Sequence, residues 1–500
     1  MPEVSAHAPV LVGGGQITDR PEVPTAGLDP LALMEAATRR AFEDARAGAA
    51  ALEAIDTIAV VNVLCHNFGD AAGLLAERLG IRPARAINST VGGNTPQSLV
   101  NHLSGEVAAG RIGLALITGA EAWKTSRALG RAGSPPAWPT RKASTPLWGD
   151  GRNGMSELEL RHGMFFPAEI YPLFENAFRA ARGLTIAEHR AELAEMCGRF
   201  SRVAAENPYA WFRDGASGEE IATVTEDNRM IAFPYPKRMN AILDVNQGAA
   251  LLLASEETAT RLGIPRARWV YPWAGVDVTE QWFVQDRRDY HSLPAVQRAG
   301  ATVLEAAGVS IGDVRHLDLY SCFPIAPRLS AAALGIAKDD PRPLTVTGGL
   351  PWFGGPGNSY STHAIATMME RLRAEPGSVG LVHALGWFLT KHAIGMYSTE
   401  RPARGWRKAG GPELQQWVDA LPSPEVIATP SGRGTIEAYT VVHGRDGAPE
   451  KGFVIGRLED RRRFVAGLPR ERAVLEAMER EEQVGRRGTL AADGSIFAPG

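Results

Sequence analysis

A glycine turn in front of a helix is the first place where this sequence indicates chemistry. The stretch Ala86–Ala122 has the pattern of a short strand, a turn, a helix and a buried strand, and the turn contains Gly92, Gly93 and Asn94. Backbone N–H groups at a helix N-terminus are unpaired and carry partial positive charge, so they can hold an oxyanion or assist a nucleophile. The pattern therefore predicts a binding site at these residues.

A second glycine-rich block lies later in the chain. Five of the ten residues Gly348–Gly357 are glycine, and Asn358 follows directly. Gly355 in this block and Gly386, at the end of a later apolar run, are expected to let backbone amides approach the same ligand. A plain packing turn between a strand and a helix is the alternative interpretation. The block lacks the Lys-Ser/Thr pair of a P-loop, so phosphate binding of that kind is not expected.

Three reactive side chains follow buried segments of the second half. Tyr320 ends an apolar run, where its hydroxyl could donate a hydrogen bond, or accept a proton if its pKa were lowered. Cys322 comes two residues later, and His392 lies just past Gly386. Catalytic roles are predicted for these three residues. The alternatives are a hydrogen-bonded core tyrosine, a small buried cysteine and a structural histidine.

The composition describes a globular chain of two or three domains. The chain has 500 residues, 44% of them apolar and 22% charged, and a net charge of −3, which gives no support for nucleic-acid binding. The one local charge cluster, Arg461–Arg463, is predicted to be a solvated face. Three distant cysteines match neither a disulfide framework nor a zinc site, and no His/Asp/Glu grouping has metal-ligand spacing. Without an export signal or a run of about 18 apolar residues, a cytoplasmic protein with no membrane span is predicted.

The elements around the two glycine turns repeat in the same order. Each half contains an apolar strand, predicted at Ile55–Leu64 and Leu317–Phe323, then a Gly-Asn pair before a helix, at Gly93 and Gly357. An apolar strand ending in glycine follows each helix. These marks predict a duplicated βαβαβ unit whose strand ends share one site. The run Gly13–Gly15 lacks dinucleotide-motif spacing and predicts a tight turn.

Two regions depart from the duplicated pattern. Residues from about Lys124 to Arg238 are rich in Pro, Trp and Arg and then helical over 169–205, with a break near Gly183, which predicts an insertion covering the site. Alternation at 435–443 and 452–458 predicts a hairpin in a small all-β module. A charged helix, Arg470–Gln483, and a loose tail over the final residues, LAADGSIFAPG, are predicted after it.

Together these motifs resemble the thiolase superfamily from Val10 to Ser398. The run MNAILDVNQGAA at Met239–Ala250 is similar to one that thiolases share, and Tyr320–Phe323 stands where sterol-carrier-type thiolases have His-Asp-Cys-Phe. Gly354–Pro356 and Ala384–Gly386 stand where thiolases have Gly-His-Pro and Cys-x-Gly. The extra module resembles an OB-like domain that accompanies some thiolase-related proteins. Thiolase-like proteins of type 1, which carry such a domain, are the closest match.

The resemblance implies an α/β fold with a duplicated βαβαβ five-layer core, an inserted lid domain and a C-terminal OB-like β module. It implies an N-terminal half at residues 1–123 and 239–270, an insertion at 124–238, a C-terminal half at 271–400, and the module with its helix and tail at 411–500. A coenzyme A thioester is the implied substrate, with no other cofactor. Monomer and homodimer both stay open, because an added domain could cover the strand edge through which thiolases pair.

The side chains that carry thiolase chemistry are absent. In a thiolase one cysteine attacks the thioester, the histidine of Gly-His-Pro activates it, and a second cysteine moves the proton. Val91, Gly92 and Gly93 fill the places where the first cysteine could align, while Gly355 and Ala384 replace the other two residues. Glycine offers no nucleophile. An acyl-CoA-binding enzyme of lipid metabolism, nominally an acyltransferase without the thiolase cysteine, is therefore predicted.

Two alternative functions stay open. One is a carbon–carbon lyase that cleaves a 3-hydroxyacyl-CoA by a retro-aldol reaction with Tyr320, as in thiolase-related aldolases that use tyrosines. The other is a non-catalytic scaffold that keeps the acyl-CoA groove. All three functions use the same predicted substrate-binding set, which is Gly92, Gly93, Asn94, Gly355, Asn358 and Gly386.

Overall fold

The computed structural model describes residues 7–143 and 145–500. Residues 1–6 lie outside the described residues. They belong to the predicted N-terminal half and to the N-terminal stretch in which no export signal is predicted. The helices are α1 (Pro30–Ala45), α2 (Ala71–Leu79), α3 (Thr95–Ala108), α4 (Trp123–Arg131), α5 (Glu157–Arg161), α6 (Pro167–Ala181), α7 (Ile186–Glu206), α8 (Gly218–Ala222), α9 (Glu256–Arg261), α10 (Pro294–Ala307), α11 (Ile325–Ala333), α12 (Tyr360–Ala374), α13 (Pro412–Asp419) and α14 (Arg472–Met478). The strands are β1 (Pro9–Thr18), β2 (Thr57–Val60), β3 (Arg85–Asn88), β4 (Leu114–Ala122), β5 (Met230–Ala232), β6 (Tyr235–Pro236), β7 (Asn246–Ser255), β8 (Tyr271–Thr279), β9 (Val314–Leu319), β10 (Val379–Gly386), β11 (Lys391–Ser398), β12 (Arg407–Lys408), β13 (Arg433–His443), β14 (Pro449–Leu458), β15 (Arg463–Gly467), β16 (Arg487–Leu490) and β17 (Phe497–Pro499). Within the described ranges, every helix is too short or too polar to cross a membrane.

Five layers of secondary structure form the core. Helices α1 and α2 pack on one face of a sheet with the order β1-β7-β4-β2-β3, and α10 and α11 pack on one face of a second sheet with the order β12-β8-β11-β10-β9. Helices α3 and α12 lie between the two sheets and contact both. Because apolar side chains on these two central helices meet a sheet on either side, most of their residues are buried.

The two sheets repeat one topology. In the first, β2 and β4 are parallel and β7 runs antiparallel between β4 and β1. In the second, β9 and β10 are parallel and β11 runs antiparallel between β10 and β8. The predicted duplication is therefore present, although β2 and β9 are shorter than the strands predicted at Ile55–Leu64 and Leu317–Phe323. Tyr320 lies directly after β9.

The turn predicted at Gly13–Gly15 is wrong. These glycines lie inside β1, which pairs with β7 along most of its length. A side chain on Gly13 would collide with the backbone of Ala41, and one on Gly15 with the backbone of Ala37, both on α1. The glycines therefore allow close packing of a helix on a strand instead of reversing the chain.

The insertion joins the core to the C-terminal part of the chain. Helices α6 and α7 are separated at Gly183, which is left-handed at φ 65°, so the predicted break is confirmed. Helix α6 packs along β13, and β5 pairs with β13 as well as with β6. On the core side, fully buried Glu175 of α6 forms an ion pair at 2.5 Å with Arg328 of α11.

A third sheet of seven strands contains the predicted hairpin. Its main path is β15-β14-β13-β16-β17, with β5 attached to β13 and β6 attached to β5. The loose tail predicted at the C-terminus is wrong, because β16 and β17 pair and buried Phe497 packs on Phe464 with ring centroids 5.4 Å apart. The predicted charged helix is the shorter α14. The solvated face predicted at Arg461–Arg463 is wrong for Arg463, whose side chain is fully buried.

Candidate functional site

Two glycine turns from the two halves of the chain meet at the centre of the molecule. The Gly92 amide, before α3, donates to Asn358 Oδ1, before α12, at 2.9 Å, although the two residues are 266 positions apart. Asn358 Nδ2 donates in turn to the Asn62 carbonyl at 3.0 Å. Ser361 Oγ donates to the Gly93 carbonyl at 3.2 Å. Three of the predicted binding residues are thus brought together by hydrogen bonds between the halves.

The side chain of Tyr320 fills the space beside Gly93. The Tyr320 amide donates to the His383 carbonyl at 3.0 Å, which fixes the residue at the end of β9. A Cβ atom on Gly93 would collide with Tyr320 Oη and would lie 2.6 Å from the Leu385 carbonyl oxygen. Gly93 is one of the positions where a nucleophilic cysteine could align, so Tyr320 stands where that side chain would begin.

The Tyr320 hydroxyl is a neutral hydrogen-bond donor. Its ring packs edge-to-face on Tyr360, with centroids 5.3 Å apart, and Tyr360 Oη donates to the buried Asp318 carboxylate at 3.2 Å. Tyr320 Oη itself has no hydrogen-bond partner within the described ranges. Burial, and then the neighbouring Cys322, raises the pKa of Tyr320 well above its ordinary value. At neutral pH the phenol therefore donates and does not act as a base.

Asn94 stands against Gly386. Its Nδ2 donates to Ser98 Oγ at 3.1 Å, whereas its buried Oδ1 has no partner among the described residues. A Cβ atom on Gly386 would lie 2.5 Å from Asn94 Oδ1 and 3.0 Å from Gly92 Cα. The end of β10 therefore packs directly on the α3 turn, and a buried amide oxygen there has no hydrogen-bond donor among the described residues.

Gly355 packs against residues 241–243, the segment that precedes β7. Its amide donates to the Ile242 carbonyl at 2.8 Å, and a Cβ atom there would lie 3.2 Å from the same oxygen. The amides of Gly92 and Gly355 are thus already hydrogen-bonded, so neither can receive a ligand oxygen without breaking that bond. The Gly93 amide donates to no residue of the described chain. Gly93 is also the residue whose added Cβ would meet Tyr320 Oη.

Cys322 carries a neutral thiol. Its side chain is buried close to the phenol of Tyr171, and its carbonyl accepts from the Ala241 amide at 3.0 Å. Burial raises the pKa of Cys322 to about 12. Because the thiolate is the reactive form of cysteine, this geometry favours the alternative interpretation of a small buried residue over a nucleophile.

His392 is half of a buried imidazole pair. His383 Nε2 lies 3.0 Å from His392 Nδ1, and His392 Nε2 lies 3.1 Å from the Leu389 carbonyl oxygen. Since the carbonyl only accepts, His392 donates from Nε2 and accepts at Nδ1. Burial, with neighbouring His383 and Arg287, lowers the pKa of His392 well below its ordinary value. Both nitrogens of His392 are engaged, which leaves neither free to take a substrate proton.

Lys391, which the sequence places near the site beside His392, has no predicted role there. Its buried Nζ donates to the Val91 carbonyl at 2.8 Å and to the Asp150 carbonyl at 2.7 Å. A Cβ atom on Gly92 would lie 3.5 Å from this Nζ. Burial lowers the pKa of Lys391. The available signal was a lysine directly before His392, just after an apolar run.

An open cavity of about 340 Å³ reaches the α3 turn. Its lining combines the predicted residues Asn94 and His392 with Lys391 and with polar groups of β8 and β12, which include Asp277 and Lys408. Trp148, Gly149 and Asp150 of the insertion complete this lining, so a small polar ligand could reach the α3 turn between the insertion and the core.

The turn between β10 and β11 is strained and pinned. Trp387 and Leu389 are left-handed, with φ 55° and 56°, although neither is glycine. Buried Arg287 donates to the Leu389 carbonyl at 2.9 Å, to the Phe388 carbonyl at 3.1 Å and to Thr390 Oγ1 at 3.0 Å. Tyr171 Oη donates to the Trp387 carbonyl at 2.8 Å. This turn carries Gly386 on one side and Lys391 and His392 on the other.

Comparison with known proteins shows which family the chain belongs to. The additional C-terminal domain of thiolase-like protein type 1 matches residues 413–495. A crystal structure of a monomeric SCP2-thiolase-like protein type 1 from Mycobacterium smegmatis is 36% identical over the full length of both chains, with a TM-score of 0.86. The chain belongs to the thiolase-like protein type 1 family. The predicted thiolase-like α/β fold is thereby confirmed.

More distant relatives match only part of this chain. The benzoylsuccinyl-CoA thiolase subunit BbsB of Thauera aromatica is 29% identical over 184 residues, which are 36% of this chain and 44% of that relative. The Ltp2-ChsH2(DUF35) aldolase is 18% identical with a TM-score of 0.59, and the match covers 79% of this chain and 99% of that chain. At that identity the likeness shows the fold alone.

Restoring a cysteine at the α3 turn is predicted to destabilise this thiolase-like type 1 protein. Gly93→Cys and Gly93→Ala place a Cβ against Tyr320 Oη and the Leu385 carbonyl, so each should lower the free energy of unfolding by about 1–3 kcal/mol in urea titrations. The matched control is Gly130→Ala in α4, where a Cβ meets nothing, and a gain of about 0.5–1 kcal/mol is expected there. In a Tyr320→Ala background the cost at Gly93 should shrink. Equal tolerance at Gly93 and Gly130 would contradict this packing.

Acidification is predicted to lower the free energy of unfolding through the buried neutral histidines. Burial lowers the pKa of His363 to about 3, as it does for His383. Below about pH 6.5 the unfolded histidines bind protons that the folded ones refuse, so each one lowers the free energy of unfolding by about 1.4 kcal/mol per pH unit toward pH 3. Buried Glu121 and Glu280, whose pKa values burial raises to about 7, act in the opposite direction.

The difference between variants is therefore the quantity to measure. Urea titrations of wild type and His363→Gln at pH 7 and pH 5 should show a smaller loss of stability on acidification in the variant. The same loss in both proteins would mean that His363 is protonated in the folded state.

Proposed function

We propose that this chain is an acyl-CoA-binding enzyme of the thiolase superfamily that works without a cysteine nucleophile. Its membership of the thiolase-like protein type 1 family supports a CoA-related function, and it is nominally an acyltransferase. A role in lipid metabolism and a cytoplasmic location belong to the same proposal. A coenzyme A thioester is the proposed substrate, with no additional cofactor.

One observation carries the proposal, namely the juxtaposition of Tyr320 Oη with Gly93. The phenol is neutral and has no hydrogen-bond partner among the described residues, and it lies beside a backbone amide that is also unpaired there. Two donors that converge near a helix N-terminus can bind a carbonyl oxygen and stabilise negative charge that develops on it. We infer that the thioester oxygen binds between them.

The same geometry argues against the thiolase reaction. Tyr320 fills the space that a cysteine side chain at Gly93 would need. Ala384, which stands in place of the second thiolase cysteine, is fully buried within β10. His392 is neutral with both nitrogens engaged. The donors can polarise a thioester carbonyl, but in the described ranges no thiolate or free imidazole stands beside them to attack it or to relay a proton.

A retro-aldol lyase is the second candidate. The unpaired Tyr320 hydroxyl favours it, and a thiolase-fold protein that is named as an aldolase with a DUF35 component shares the core architecture. Cleavage of a 3-hydroxyacyl-CoA requires a base for the hydroxyl proton and stabilisation of the enolate. Because Tyr320 stays protonated, it suits enolate stabilisation, and no base contacts it within the described ranges.

Calorimetry with paired ligands tests the proposal. Wild-type protein is expected to bind an acyl-CoA at millimolar concentration or below. Tyr320→Phe removes one hydrogen bond to the thioester oxygen and should weaken that binding about 5–10-fold, while free CoA, which lacks the carbonyl, should bind unchanged. Tyr209→Phe, which removes a half-buried hydroxyl of the insertion, is the matched control.

Two results would contradict the proposal. One is no binding of acyl-CoA or free CoA at millimolar ligand, and the other is an equal loss of both affinities in Tyr320→Phe. A turnover assay on the same proteins decides between the candidates. Retro-aldol cleavage in wild type that falls strongly in Tyr320→Phe would favour the lyase, and binding without turnover on a panel of CoA thioesters would favour the scaffold.

A further inference from the structure

The C-terminal part of the chain holds a core loop by its main chain. Arg463 of β15 donates to the carbonyl oxygens of Gln285, at 2.9 Å, and of Arg287. Ser423 Oγ donates to the Asp286 carbonyl between them, at 2.8 Å. Three successive carbonyls of the loop that follows β8 are therefore bound from one side.

Arg463 is built for this contact. It is fully buried, its Nε donates to Glu437 Oε2 at 2.8 Å, and its guanidinium lies 4.9 Å from the ring centroid of Tyr290. A buried arginine is stable only when its charge is paired and its donors are satisfied. Glu437 supplies the charge, and the carbonyls of the core loop supply the remaining acceptors.

The same loop pins the site turn. The side chain of Arg287 binds the turn at residues 388–390, and its own carbonyl is an acceptor of Arg463. That turn holds two left-handed non-glycine residues, a conformation that persists only where surrounding contacts enforce it. Arg287 therefore connects the C-terminal module with the strained turn through two consecutive sets of hydrogen bonds.

We propose that Arg463 is a positioning residue for the candidate site and acts through Arg287. Loss of its bonds to the core loop releases the Arg287 main chain, so the three donors of the Arg287 side chain no longer align with the turn. The turn then relaxes, and Gly386 and Lys391, which flank it, lose their fixed positions at the α3 turn. The inference rests on the proposed function because the positioned turn belongs to the proposed thioester site.

Hydrogen exchange in the ligand-free full-length protein tests the positioning. Amides of residues 386–392 are followed by mass spectrometry in wild type, Arg463→Lys and Arg463→Met. Arg463→Lys keeps a charge for Glu437 and loses the planar fork, so about tenfold faster exchange is expected in this segment, with β13 and β14 close to wild type. Arg457→Met is the matched control, because Arg457 binds the same Glu437 at 2.7 Å and does not bind the core loop.

The outcomes separate positioning from general stability. Faster exchange at 386–392 in Arg463→Lys, with Arg457→Met like wild type, supports the proposal. Unchanged exchange at 386–392 in a folded Arg463 variant overturns it, and so does an increase spread evenly over the whole chain in both Arg463 variants. If Arg463→Met fails to fold, Arg463→Lys decides.

Affinity for acyl-CoA provides a separate measurement. Arg463→Lys is expected to bind acyl-CoA about tenfold more weakly than wild type and Arg457→Met. If wild type binds no CoA ligand, the proposed function fails, while the exchange experiment still decides whether Arg463 positions the turn. Wild-type affinity in an Arg463→Lys protein with a mobile turn would show that the turn is not part of the thioester site.

Discussion

The close contact of the two halves at their glycine turns is the constraint on which the candidate site depends. Gly93 and Gly386 have no side chains, and any Cβ at either position would meet atoms of the opposite half. This contact brings the α3 turn against the end of β10 and sets the Gly92 amide on Asn358. The absence of a nucleophile therefore involves more than one position, because Tyr320 fills the space where a cysteine side chain at Gly93 would lie.

Burial determines the chemistry that remains. The phenol of Tyr320, the thiol of Cys322 and the imidazole of His392 are buried, and desolvation keeps all three neutral at physiological pH. Neutral donors and acceptors can orient and polarise a ligand, whereas attack on a thioester requires a charged or activated nucleophile. The site is thus suited to hold a carbonyl, and the Lys391 ammonium beside it donates to the carbonyl oxygens of Val91 and Asp150.

The sequence predicts the core better than it predicts the contacts between distant segments. Alternating apolar runs and paired Gly-Asn marks predict the duplicated halves, because hydrophobic periodicity and turn chemistry are local signals. The meeting of Gly92 with Asn358 follows from this duplication, because the two turns occupy equivalent positions at the strand ends of the two halves. The run Gly13–Gly15 misleads, because a glycine needed for packing and one needed for a turn look alike in sequence. Domain limits and the OB-like nature of the module stay predictions.

Arg463 shows why the rest could not be predicted. It follows two other arginines, and a cluster of charge next to a hairpin is typical of a solvated face. Its burial depends on carbonyl groups 176 and 178 positions earlier in the chain, which only the folded structure brings within reach. Those carbonyls belong to the loop that supports the strained turn beside the site. The additional C-terminal domain therefore contacts the core loop through Arg463. The same loop holds the strained turn through Arg287, so the domain supports the geometry of that turn as well as its own fold.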